Sequence, residues 1–251
     1  MNWAAIDWAI LGLPLVAGLL VLATHVLLGM EVLDRGIVFI DLAIAQIAGL
    51  GVIAADAMGL EGGVAVQAAA VVAALLGALL LTWTERRAAH HQEALIGVLF
   101  VLASCVGILL LASNPHGGEH LKDLLVGQIL WVSRAQLAWL AAVSMLILLA
   151  MRLGVLRRAG RFGFYGAFAL AVTASVQLVG VYLVFSSLII PALATRSLRG
   201  APRLALAYGV GAAGYAIGLA LSALFDLPSG AVAVCALAAC GLLVGWRATN
   251  A

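Results

Sequence analysis

FGFYGAFALAVTASVQLVGVYLVFSSLIIPALAT, residues 162–195, runs from Arg161 to Arg196 without one charged side chain. A helix rising about 1.5 Å per residue crosses a hydrocarbon core about 30 Å thick in about 20 residues. The stretch is therefore too long for one crossing. It also contains Gly180 and Pro191, so it reads as one full helix followed by a short, broken one. Broken helices at membrane depth line cavities or pathways, because their freed backbone groups need protein or water as partners.

Outward from this stretch, the chain divides at its charges. Uncharged runs cover residues 8–30, 36–55 (interrupted by Asp41), 62–84, 94–113, 135–151, 204–225 and 227–246. Each has about the length of one span. Of 251 residues, 65% are hydrophobic and only 10% charged, against about 45–50% and about 25% in soluble domains. The reading is all-α: a polytopic membrane protein with about eight to nine transmembrane helices plus short broken or re-entrant pieces. Residues 1–251 form a single transmembrane domain. A cytosolic enzyme, a nucleotide-binding domain of normal size and a secreted disulfide scaffold are excluded. With 13 basic and 11 acidic residues the formal charge is +2, so no strong field draws nucleic acid to the surface. Cys105, Cys235 and Cys240 lie in apolar runs without CxxC spacing and read as packed or lipid-facing thiols.

Basic residues in short loops stay cytoplasmic. Arg35, Arg86, Arg87, Arg152, Arg157, Arg158, Arg161, Arg196, Arg199, Arg203 and Arg247 all fit one side. Asp56, Glu61, residues 114–120 and Asp226 fall on the other. The N-terminus is then outside and the C-terminus inside a cytoplasmic (inner) membrane. This requires residues 121–133 (LKDLLVGQILWVS) to be a short surface or re-entrant helix on the outer side, with Lys122 and Arg134 as exceptions to the rule.

A charge within hydrocarbon is costly, so intramembrane polar residues are the functional candidates. They are His25, Glu31, Asp41 and Gln46 in the first two helices, and Gln177, Ser186 and Ser187 near the broken one. Measured along antiparallel helices from the turn at Arg35, Glu31 and Asp41 lie about 6 and about 9 Å deep, and His25 and Gln46 about 15 and about 16 Å. The hairpin thus offers a carboxylate layer and a layer of imidazole with amide. Such donors suit a divalent first-row metal such as Zn or Mn. The competing structural reading has Glu31 and Asp41 hydrated near the interface with Arg35 as partner, and His25 satisfied by packing. Two further clusters carry histidine. His90, His91 and Glu93 in ERRAAHHQE sit at a helix end. His116, Glu119 and His120 in NPHGGEH form an outer loop, which reads as a metal-capturing loop or as a solvated turn. Its HxxEH order is not a metalloprotease signature, since Gly117 and Gly118 prevent the helix that signature needs. An intramembrane metal enzyme built on Glu31, Asp41 and His25 lacks a recognisable nucleophile or HExxH motif.

Several segments, in order, resemble the membrane permease subunits of the zinc/manganese/iron ABC importers. Residues 29–41 (GMEVLDRGIVFID) resemble that family's first cytoplasmic turn and the Asp-containing start of its second helix. Residues 94–111 (ALIGVLFVLASCVGILLL) resemble the helix after its second cytoplasmic turn. VGQIL within 121–133 is similar to its short L(F)GDIL segment. Residues 179–196 (VGVYLVFSSLIIPALATR), with IIPA followed by Thr and Arg, are the most specific match. Residues 218–230 (GLALSALFDLPSG) are similar to its last outer turn, Ser-x-x-x-Asp-x-Pro-x-Gly.

The resemblance implies a metal ABC importer (type II-like) permease fold and a homodimeric pathway in the lipid membrane. An extracytoplasmic metal-binding protein would deliver the Zn or Mn cation as cargo, and a cytoplasmic ATP-binding subunit would drive passage, with no permanently bound cofactor and no catalysis in this chain. Neither ATP motif occurs in the sequence, so ATP enters only through a partner. Asp41 takes the position of the family's second-helix Asp, a metal-path ligand. The family's His four residues later is here Ala45, with Gln46 beside it. The family's cytoplasmic coupling helix is represented only by residues 152–163 (RLGVLRRAGRFG), with Arg157, Arg158 and Arg161 as the expected contact to an acidic groove on the ATPase, or as ordinary positive-inside anchors. The alternative is the same fold acting as an ATPase-independent facilitator or regulatory subunit.

Overall fold

The structure is a computed structural model and describes residues 8–60, 63–111 and 125–249. Among them the chain is a helical bundle without strands: α1 (Trp8–Arg35), α2 (Ile40–Ala57), α3 (Gly63–Ala88), α4 (Gln92–Leu111), α5 (Arg134–Arg152), the single turn α6 (Val155–Arg158), α7 (Gly160–Ala194), α8 (Gly200–Phe225) and α9 (Ser229–Thr249). Seven of the described helices are long and apolar enough to cross a membrane, and the 18-residue α2 packs among them against α3, α4 and α7.

The central element is α7. A straight helix of its 35 residues would be about 50 Å long, far more than a bilayer core. It is not straight: Gly180 has φ 78° and ψ 162°, outside helical space and open to glycine alone. Both limbs reach the same end of the bundle. Near the start of α7, the Phe164 ring lies under the Arg35 guanidinium at 4.1 Å. Just past its end, Arg203 reaches Asp34 at 3.8 Å. Arg161 meets Glu85 at 3.3 Å. With Met151 near the end of α5 lining a cavity beside Arg35 and Arg161, the ends of α1, α3 and α5 gather with both ends of α7 at one basic end, and Gly180 turns the chain back near the far end. The expected break thus falls at Gly180, while Pro191 sits inside continuous helix.

The same turn explains how the segment before α5 is held. From Leu125 onward it is a strap with a 3-10 turn at Ile129–Trp131, packed against α1, α7 and α9. Gly127 (φ 71°) meets Gly180 backbone to backbone, and a Cβ on either would collide with the other's main chain. The Gln128 amide donates to the Leu178 carbonyl at 3.2 Å. Ser133 then starts α5 through a capping box: its hydroxyl accepts from the Gln136 amide at 3.2 Å and its own amide donates to Gln136 Oε1 at 2.9 Å. The described part of the expected short helix, from Leu125 onward and with Ile129 fully buried, is thus mostly not α-helical.

Candidate functional site

The start of α2 is unusual. Its N-cap residue is Phe39, whose side chain caps nothing, so helix N–H groups there need an outside acceptor. Glu93, at the start of α4, supplies one: its Oε1 accepts from the Phe39 amide at 3.3 Å. Its other oxygen is buried without a partner. Asp41 lies in the first turn of α2, is 1% exposed, and neither of its oxygens makes a hydrogen bond of normal geometry, although the amides of Asp41 and Leu42 at the helix N-terminus lie near enough to favour its charge. The Glu93 carboxylate is near enough to repel it. Two carboxylates therefore converge on one helix N-terminus, whose dipole favours negative charge, with three of their four oxygens unused. An unpaired carboxylate in an apolar interior is strongly unfavourable, and a cation is the partner that would satisfy such a set.

The other candidates have different surroundings. Glu31 is exposed and bonded to Arg35, with Oε1 2.8 Å from one guanidinium nitrogen and 2.9 Å from Nε. Its matched depth does not make it a partner of Asp41. His25 is fully buried, with Nδ1 3.1 Å from the Thr24 hydroxyl and Nε2 unpartnered. Gln46 lines a cavity of about 610 Å³ with Leu42, Ser104, Tyr182, Phe185 and Ser186, which His25 does not line. Ser187 is buried at 2.8 Å from the Tyr215 hydroxyl, a packing contact between α7 and α8. Gln177 lines a separate cavity near the far end, together with Asp56 and Gln128. No group of three or more His, Cys, Asp or Glu side chains able to hold a metal occurs among the described residues. His116, Glu119 and His120, like Lys122, lie outside the described residues. His90 and His91 are exposed.

Glu93 is the residue that sequence reasoning left with the wrong neighbours, grouped with His90 and His91. Its contact to Phe39 spans 54 positions, and no local pattern signals it. At the basic end, Arg157 and Arg161 line a cavity of about 510 Å³ with Glu31, Arg35 and Phe164, and Arg158 is exposed. A buried network of Thr84, Gln92 and Tyr165 holds α3, α4 and α7 together there: Gln92 Oε1 accepts from Thr84 at 3.1 Å and its Nε2 lies 3.2 Å from the Tyr165 hydroxyl.

Comparison with known proteins agrees with this architecture. PsaBC from Streptococcus pneumoniae, solved in complex with Fab, superimposes with a TM-score of 0.78 over 97% of this chain and 95% of that one at 21% identity, a likeness of fold. An uncharacterised membrane protein of Synechocystis is 32% identical over 185 residues, 66% of either chain. The manganese transport system membrane protein MntC of Halalkalibacterium halodurans is 27% identical over 184 residues, 64% of this chain and 62% of its own length. The matched stretches thus span just under two thirds of these two relatives. With a family model matching residues 8–158 and 149–248, nearly the whole described bundle, the chain belongs to the ABC 3 transport family.

Proposed function

We propose that this chain is the membrane permease of an importer for divalent transition-metal cations, zinc or manganese, with two copies forming the pathway. The observation that carries the reading is Asp41, buried at the start of α2 with both oxygens unpartnered and joined there by Glu93. A relative that bears the name of a manganese transport system membrane protein supports the cargo class. The N-terminus lies outside and the C-terminus inside, with the basic end in the cytoplasm, because short arginine-rich loops resist translocation. An extracytoplasmic metal-binding protein delivers the cation to the far end, and a cytoplasmic ATP-binding subunit meets the arginine-rich end. His25, buried with a free ring nitrogen, is a candidate ligand in a rearranged state, and the loop carrying His116, Glu119 and His120 a candidate for capture. Glu31 is a positioning partner of Arg35.

The test is uptake of radiolabelled manganese and zinc by cells carrying the whole system, with Asp41→Ala beside the unchanged chain. Uptake lost at full membrane expression supports the assignment; unchanged uptake removes Asp41 from the pathway. One observation favours a second reading, a facilitator or regulatory subunit without an ATPase: α6 is a single four-residue turn between Gly154 and Gly160, both with positive φ, a small feature with which to grip a motor. Arg157, Arg158 and Arg161 are the contact in the first reading. Co-purification of an ATPase chain that Arg157→Glu with Arg158→Glu releases decides between the two.

A further inference from the structure

The cavity of about 510 Å³ at the basic end combines arginines with an apolar wall. Arg35 and Leu28 of α1 both line it and stand seven residues apart, so it extends about 10 Å along the helix from the arginine level toward the bilayer core. Arg157 of α6 and Arg161 of α7 join Arg35, while Met151 of α5 and Leu156 of α6 join Leu28. Glycine builds this arrangement. Gly154 and Gly160, both at positive φ, turn the chain into and out of α6, and Gly163 has no room for a Cβ against the Leu156 carbonyl. Leu156 and Arg157 are thereby held against the start of α7. The neighbouring α5 is peripheral: Met145, Leu146 and Leu149 are exposed, as are Leu153 and Val155 on either side of Gly154, and in a bilayer such side chains meet lipid tails.

Three guanidinium groups line this cavity against one carboxylate, Glu31. Glu31 is used by Arg35 at 2.8 Å, and Arg161 reaches Glu85 at 3.3 Å. Arg157 has no ion-pair or hydrogen-bond partner among the described residues. One positive charge is therefore left over, at the level of the helix ends and beside apolar side chains. A small inorganic anion matches the charge but leaves Leu28, Met151 and Leu156 uncovered. An acidic protein surface matches the charge but not a gap between helices with an apolar wall. An anionic phospholipid matches both, since its phosphate meets guanidinium in a charge-assisted contact and its chains begin where the wall is apolar. Arg158 does not line the cavity and is exposed, so it stays available to a cytoplasmic partner.

We propose that the cavity between α1, α5, α6 and α7 is a binding site for one anionic phospholipid, with Arg157 as the principal contact to its phosphate and Leu28, Met151 and Leu156 as the wall for its chains. The site stands on the basic end alone and does not depend on what the pathway carries. The full chain, purified in detergent, is titrated with phosphatidylglycerol, phosphatidylcholine and glycerol phosphate, and bound molecules are counted by native mass spectrometry. Phosphatidylglycerol is expected to bind about tenfold or more tightly than the other two, and Arg157→Gln to weaken it about tenfold, the loss of one charge-assisted contact. Arg157→Lys is expected to retain most of the affinity, and Arg158→Gln to stay within about twofold of the unchanged chain, its charge being screened outside the cavity. Arg157 has no partner to lose, so its substitution leaves the ion pairs of the fold intact, which a thermal melt of each variant checks. Met151→Glu, which sets a carboxylate in the wall, is a second variant expected to weaken phosphatidylglycerol by at least as much. Binding of phosphatidylglycerol unchanged in the folded variants overturns the site. Glycerol phosphate bound as tightly as phosphatidylglycerol overturns the lipid in favour of a soluble phosphate. Release of a co-purifying ATPase chain by Arg157→Gln alone, with phosphatidylglycerol binding unaltered, overturns it in favour of a protein contact.

Discussion

Glu31 and Asp41 flank the same turn, four residues before and six residues after Arg35, and their surroundings are opposite. Glu31 ends α1 exposed, with a guanidinium against its carboxylate. Asp41 begins α2 with 1% exposure and no partner on either oxygen. Closeness to the turn is shared; direction around the helix is not. A carboxylate on the outer side of α1 finds water and an arginine, whereas one on the inner side of α2 finds packed helices and a second carboxylate, Glu93. The difference separates a residue that stabilises a helix end from one whose cost the fold bears for another reason.

Substituting the buried member breaks the comparison most sharply. Asp41→Asn is expected to lower metal uptake by about a hundredfold while leaving the purified chain at least as heat-stable as before, since an unpartnered buried carboxylate contributes no stabilising contact. Uptake and a thermal melt on the same preparation check both halves. Loss of stability together with uptake would make Asp41 a structural residue. Glu93→Gln comes next. The amide keeps an oxygen for the Phe39 N–H but removes the second negative charge, so uptake is expected to fall about tenfold with little change in the melt.

A buried polar pair that is fully used supplies the contrast to Asp41. Tyr215 is fully buried and its hydroxyl meets Ser187 at 2.8 Å, so Tyr215→Phe is expected to cost about 1 kcal/mol of stability and to leave uptake per folded molecule unchanged. A larger loss of uptake than of folded protein would place that pair on the pathway.

The span boundaries were legible because crossing length and the scarcity of charge decide them, and the arginines marked which ends belong together. The break in residues 162–195 was legible as a break; its position was not, since both Gly180 and Pro191 qualify. Proline tolerates helical φ, and a membrane helix can re-satisfy the carbonyl it frees, whereas φ 78° at Gly180 is accessible to glycine alone. What the sequence hid is azimuth. Helices that are apolar nearly all round, such as α3 and α4, carry no amphipathic stripe to say which side faces inward. Depth alone therefore grouped Glu31 with Asp41 and His25 with Gln46. The contact of Glu93 with Phe39 is long-range, and Gly127 against Gly180 depends on two backbones meeting, which side-chain patterns do not report.

The smallest effect belongs to Glu31. Its partner Arg35 is four residues away on the same helix, the geometry in which an exposed pair contributes only about 0.3–0.5 kcal/mol. Arg35 also keeps its place over the Phe164 ring at 4.1 Å, so it has a second anchor when the carboxylate is gone. Glu31→Gln is therefore expected to change uptake by less than about twofold and to shift the melt only at low salt, because added salt screens the pair it removes. A loss approaching that of Asp41→Asn, insensitive to salt, would mean that the exposed carboxylate turns inward during transport, and the two sides of the turn would then act as one site.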